Sequence, residues 1–222
     1  MTRLLGLTLA ATMACTVAAH AAPERIRGTI ESFDNDTLTV KSRQGGEVKL
    51  ALGDATKYAS VEKSSLSDVA QGRFVGIATK QAGNTPVALE VVVFPESMRG
   101  AGEGHYPWDR MADSSGSGQS VASSMTNGSV TAARARQVNT QMTNGNVEAE
   151  SGQSGGKRLT VSYKGGEQKI VVPPNVPVVT LEPGDRAILR DGANVFVRAT
   201  EDNGKATANF VAVGKGDVVP PM

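Results

Sequence analysis

Apolar and polar residues alternate in short runs along most of this chain, the two-residue period of half-buried β-strands. Residues 26–33 (IRGTIESF) alternate and end at Asp34-Asn35-Asp36, side chains that bond their own backbone and favour a turn. Residues 38–42 predict a second strand, with Leu38 and Val40 on one face and Thr39 and Lys41 on the other. Gln44-Gly45-Gly46 closes a hairpin, glycine supplying positive φ. Val48, Leu50 and Leu52 mark the inward face of a third strand, which residues 58–61 extend after a break at Gly53-Asp54. A short helical turn follows, capped by Ser64 or Ser65 and stopped by Gly72. Residues 73–80 and 86–94 form a last hairpin around Ala82-Gly83-Asn84.

The pattern then returns. Residues 38–50 (LTVKSRQGGEVKL) reappear as 159–170 (LTVSYKGGEQKI), offset by 121 residues at Leu-Thr-Val and 120 at Gly-Gly-Glu. Residues 62–72 face 182–192, Ala78-Thr79 faces Ala199-Thr200, and Gly83 faces Gly204. An offset held over about 60 residues reads as internal duplication. In the second copy Pro173-Pro174 stops the ladder, Asp185 caps the helical turn, and residues 195–200 and 206–213 close the unit around Asn203-Gly204.

Each copy runs β-β-β-short helix-β-β. That order predicts an all-β fold of two tandem small five-stranded OB-like barrels, since closure removes the exposed edges an open meander would leave. The units fall at residues 22–94 and 142–214, with a tail at 215–222. Duplicated barrels also admit cross-pairing, with strands exchanged through the long connector. That connector, residues 95–141, opens on PESMRGAGEGHYPWD, which breaks all periodicity, and continues through a Ser/Gly-rich, flexible composition. Met-Thr-Asn-Gly-x-Val occurs at 125–130 and again at 142–147. The second copy leads into the first strand of the second unit at 146–150; the first is an extra edge strand or a loop.

The N-terminus is read apart from the fold. Arg3, an apolar run at 4–19 and Ala19-His20-Ala21 form a secretory signal with cleavage after Ala21, giving a periplasmic or secreted protein. A lipoprotein anchor at Cys15 lacks the leucine expected three positions upstream, where Thr12 stands. Cleavage removes the only Cys and one of the two His, so the mature chain has no disulfide. It also removes Arg3 and no acid, leaving 22 Lys+Arg against 22 Asp+Glu. A nucleic-acid binder would carry a basic excess, and a zero balance gives no steering onto an anionic membrane. Beyond the signal, no apolar run is long enough to span a bilayer.

These residues resemble a family of bacterial exported proteins built from an OB-like domain of unknown function. The markers are IRGTIESFDNDTLTVKS, LSDVAQGRFVGIA, ALEVVVFPESMRGAGEGHYPWD and YKGGEQKIVVPPNVPVV, of which residues 94–109 are the most specific. The resemblance implies a fold and an envelope address but no reaction.

Candidate chemistry concentrates in that stretch. Glu96, Glu103, His105 and Asp109 are metal-capable donors within 14 residues, although their spacing matches no established metal motif. The competing reading packs Met98, Tyr106, Pro107 and Trp108 as a lid over a barrel end. Arg99 with Tyr106 and Trp108 can grip a peptide or sugar by stacking and bidentate bonding. No phosphate loop and no Gly-x-Ser-x-Gly elbow is present. The leading expectation is a non-enzymatic binding or scaffolding protein of the cell envelope, with no cofactor. The alternatives are a periplasmic metal or small-ligand binder using residues 96–109, and an envelope hydrolase.

Overall fold

The computed structural model describes residues 24–114, 119–135, 156–202 and 204–220. The signal at 1–21, Cys15, the second Met-Thr-Asn-Gly copy and the strand expected at 146–150 lie outside them. The described residues are all-β. The strands are β1 (Glu24–Phe33), β2 (Thr37–Ser42), β3 (Glu47–Ala51), β4 (Lys57–Lys63), β5 (Phe74–Ala82), β6 (Thr85–Val93) and β7 (Gly104–Ala112). They continue with β8 (Ser120–Ala135), β9 (Lys157–Tyr163), β10 (Gly166–Val172), β11 (Val178–Gly184), β12 (Asn194–Asp202) and β13 (Lys205–Gly214). Three short 3-10 turns, at Leu66–Asp68, Glu96–Met98 and Arg186–Ile188, interrupt them. No helix among the described residues is long and apolar enough to cross a membrane.

All thirteen strands join one sheet, and two pairings bend it into five-stranded rings. The first ring runs β1-β2-β3-β13-β12 and back to β1, closed by the antiparallel β1–β12 ladder and a parallel contact at Thr207 and Ala51. The second runs β8-β9-β10-β6-β5 and back to β8, closed by β5–β8 and by Val171 against Val87. Each ring therefore takes three strands from one half of the sequence and its closing hairpin from the other. This corrects the expectation of one ring per half and matches the exchange alternative.

The physical cause is an extra strand in each half. Residues 58–61 do not prolong β3. A turn at Gly53–Thr56, held by Thr56 N to Gly53 O (2.9 Å) and Thr56 Oγ1 to Ala208 O (2.8 Å), ends β3 and starts β4. β4 then pairs antiparallel with β11, and parallel with β13, so the chain leaves its own ring before the hairpin is made. β11 does the same beside β6.

Three apolar clusters result. The first ring buries Ile30, Leu38, Val40, Leu50, Val197 and Val211. The second buries Val130, Leu159, Val161, Ile170, Ile77 and Val91. Between them Val61, Phe74, Phe94, Leu181 and Phe196 form a third, against which Met98, Trp108 and Phe210 pack. A fully buried Val or Leu contributes about 1.5–3 kcal/mol before conformational entropy is subtracted.

The connector also differs from its expectation as loop and flexible linker. Residues 104–112 are β7 and 120–135 are β8, which pairs with β5, β7 and β9 at the centre of the second ring. The first Met-Thr-Asn-Gly copy is thus ring framework. Gly128 explains the choice of residue: a Cβ there would stand 2.3 Å from the Ser162 carbonyl oxygen. Gly28 in β1 meets the same constraint from Lys41 O at 2.1 Å.

Candidate functional site

The aromatic stretch of the connector is laid across the third cluster. Arg99 fastens it. Its guanidinium pairs with Glu96, donates to Gly72 O and Ser129 Oγ (both 2.9 Å), and lies 5.9 Å from the Phe74 ring. The hydrogen bonds from Arg99 pull the exposed Glu96 carboxyl below its ordinary range. Gly100 and Gly102 (φ 84° and 59°) then turn the chain into β7 in left-handed geometry that few other residues adopt.

Along β7 the two-residue period puts Tyr106 and Trp108 on one face, their rings 5.9 Å apart and tilted by 59°. Trp108 meets Arg25 of β1, whose guanidinium carbon sits 4.0 Å from the indole centroid. Arg27, two residues on, lies 5.9 Å from the same ring and 5.2 Å from Phe196. Asp109 accepts from both arginines, at 3.3 Å (Arg25) and 2.5 Å (Arg27), so one carboxylate ties β7 to β1.

Beneath lies a pocket of about 240 Å³ with Phe94, Met98, Trp108, Phe196 and Phe210 as its apolar walls. Arg25 and Arg198 reach its rim, and they are directly opposite one another across β1 and β12. Like charges so placed repel; Asp109 answers the charge of Arg25, whereas Arg198 has no ion pair among the described residues. Asn127 supplies a polar wall: its Nδ2 donates to Ala101 O and to Tyr106 Oη, each at 3.3 Å. Gly76 makes room for it, since a Cβ there would stand 2.6 Å from Asn127 Oδ1. Tyr106 donates in turn to Gly102 O (3.2 Å), and burial raises its phenol pKa despite Arg25 and Arg198, so it stays a neutral donor. Two buried polar atoms of residues lining the pocket, Trp108 Nε1 and Asn127 Oδ1, have no hydrogen-bond partner among the described residues; a third, Arg27 Nη2, belongs to the separate cleft beside Glu90. Buried polar groups are nearly always satisfied, so these two atoms of the pocket wall are open to hydrogen bonds with a ligand.

The metal candidates do not converge. Glu96 is bound to Arg99, Glu103 accepts from Lys164 N (3.0 Å), and Asp109 holds Arg25 and Arg27. His105 is outward on β7, bonded to Thr126 Oγ1 (2.9 Å) and stacked 6.2 Å from Tyr163. Among the described residues no group of three or more His, Cys, Asp or Glu is placed to hold a metal ion. Of the expected ligand residues, Tyr106 and Trp108 line the pocket, while Arg99 anchors the loop outside it. Arg25 and Arg198 supply the cationic rim instead. Sequence reasoning missed them because nothing local brings β12 beside β1.

No family model, curated protein or solved structure matches the chain.

Proposed function

We propose that this chain is an exported, non-enzymatic binding module of the cell envelope that holds a small apolar or aryl carboxylate under Trp108. The pocket is smaller than the 300–1,000 Å³ typical of drug-sized ligands, which suits one ring or one branched side chain. Its apolar walls take the ligand body, and Arg25 and Arg198 take the carboxylate by charge-assisted hydrogen bonds. Trp108 Nε1 and Asn127 Oδ1 give it one donor and one acceptor.

The framework in this reading is a tandem duplication of an OB-like unit whose two copies exchange closing hairpins. Support comes from the ring order, in which a three-strand meander is closed by a hairpin on its first and third strands. The export address rests on the signal at residues 1–21.

The observation that carries the ligand proposal is the opposed Arg25–Arg198 pair above an aromatic pocket with unpartnered polar atoms. Trp108 is the only tryptophan, so its fluorescence reports the site directly. Titration of the mature protein with phenylacetate, 3-phenylpropionate and isovalerate is expected to give a saturable change. A flat response to all three, with no heat by calorimetry, overturns the proposal.

A further inference from the structure

The second ring carries a second feature, independent of the Trp108 pocket. A groove of about 490 Å³ runs over β8, β9 and β10 beside the β5–β6 turn. Arg134, Arg158 and Lys169 line it, with Asn84, Thr85 and Thr160 as hydroxyl and amide groups, and among the described residues no acidic side chain lines it. Arg134 and Arg158 are directly opposite across the β8–β9 ladder. Neither guanidinium has a hydrogen bond or ion pair among the described residues. Lys169 has only an exposed contact to Glu167, at 4.0 Å.

The first ring provides an internal control. Its matching register places Asp34 and Thr37 where the second ring has Arg134 and Arg158. Leu38 pairs with Leu50 as Leu159 pairs with Ile170, and Thr37 pairs with Ala51 as Arg158 pairs with Val171. There Thr37 N donates to Asp34 Oδ1 (2.9 Å) and Asp34 N to Thr37 O (3.0 Å), so the pair is locally satisfied. The ring therefore closes without a pair of strand-borne cations at this position; the one guanidinium there, from Arg186, donates to Asp34 O. Two arginines set face to face, in a chain whose acids and bases otherwise balance, are a departure that folding does not demand.

We propose that this groove binds the tetrahedral oxyanion of a phosphate or sulfate ester carried on a hydroxylated body such as a sugar. Two adjacent guanidiniums offer paired N–H donors to such an oxyanion, and Lys169 adds a point charge. Asn84, Thr85 and Thr160 match hydroxyl groups. Among the described residues no aromatic side chain lines the groove to stack bases, which disfavours single-stranded nucleic acid.

The test is calorimetry of the mature protein with glucose 6-phosphate, glucose 6-sulfate, inorganic phosphate and a single-stranded oligonucleotide, on wild type and Arg158→Thr. Threonine is what the first ring carries at this register, so the variant keeps the fold. Saturable binding of either ester is expected, weakened at least tenfold in Arg158→Thr and unchanged in Arg198→Ala. Without ligand, Arg158→Thr is expected to melt at or above the wild-type temperature, because a repulsive pair is relieved; a purely structural arginine would lower it. No saturable binding, or affinity unaltered by Arg158→Thr, overturns the site. Equal affinity for inorganic phosphate overturns the hydroxylated body, and tighter binding of the oligonucleotide overturns the ligand class.

Discussion

Val61 and Leu181, 120 residues apart, stand opposite one another at the centre of the β4–β11 ladder, both fully buried. The pairings on either side of them are related by swapping the two halves: Lys63 with Val179 is answered by Ala59 with Pro183, and Glu62 with Thr180 by Ser60 with Glu182. The flanking parallel ladders match too, Val211 with Tyr58 on one side and Val91 with Val178 on the other. This is the geometry of a self-complementary two-fold interface, held within a single chain.

Strand exchange makes the halves mutually dependent, which gives a first prediction. A protease site placed within residues 115–118 separates β1–β7 from β8–β13 when cleaved. Both rings still need strands from both fragments. The nicked protein is expected to elute as one species and to come apart only in denaturant. Fragments that separate under native conditions would mean that each half closes its own ring.

Gly28 and Gly128 give a second. A methyl group at either would press on a carbonyl oxygen of the neighbouring strand, at 2.1 and 2.3 Å. Gly28→Ala and Gly128→Ala are each expected to lose about 1–3 kcal/mol, the usual cost of forced overpacking. Urea denaturation reads this as a lower midpoint at unchanged slope. Neither position has a positive φ, so wild-type stability in both variants would show that the strands simply part.

Much of the fold was legible in the alternation: the three-strand meanders, their Gly-Gly turns, the Asp185 cap accepting from Ala187 N (2.7 Å), and the closing hairpins. Ring membership was not. The two closing hairpins present the same inward pattern, with Val75, Ile77 and Val91 in one and Val195, Val197 and Val211 in the other. Either hairpin satisfies either ring, so local preference cannot choose; the route of β4 and β11 chooses. β7 was hidden, and β8 was open only as an edge strand or loop at 125–130, for another reason. Their Gly, Ser, Thr and Pro content reads as linker, and long-range pairing overrides that composition. The candidate site was half visible: Tyr106 and Trp108 stood out by rarity, while Arg25 and Arg198 acquire meaning only once β1 and β12 pair.

For the Trp108 pocket, Arg198→Ala separates binding from stability. Removing a charge-assisted hydrogen bond costs about 1.5–3 kcal/mol of affinity, a loss of roughly ten- to hundredfold for the carboxylate. Arg25 keeps its partner Asp109 in the variant, so the fold is expected to be as stable as wild type or more so by a few tenths of a kcal/mol. Equal affinity in wild type and variant would remove Arg198 from the site.

The last prediction concerns Glu90. It sits on β6 in a cleft of about 600 Å³ between the rings, facing Arg27 and Arg43 of the first ring and Asp109 and Arg110 of β7. Burial raises its carboxyl pKa well above the ordinary 4.5, outweighing the pull of Arg27 and Arg43. The folded chain thus keeps a proton that the unfolded chain has already released. In that window the native state binds more protons, so stability falls as pH climbs from the unfolded carboxyl value through the folded one. Glu90→Gln keeps the shape and deletes the titration. The variant is expected to approach wild type near pH 4, where the carboxyl is mostly neutral in both states, and to exceed it at pH 8. Urea melts at pH 4, 6 and 8 measure the difference. A variant weaker than wild type at pH 8 would mean that the charge pairs with Arg27 and Arg43 outweigh desolvation, and would make Glu90 an ionised tie between the rings.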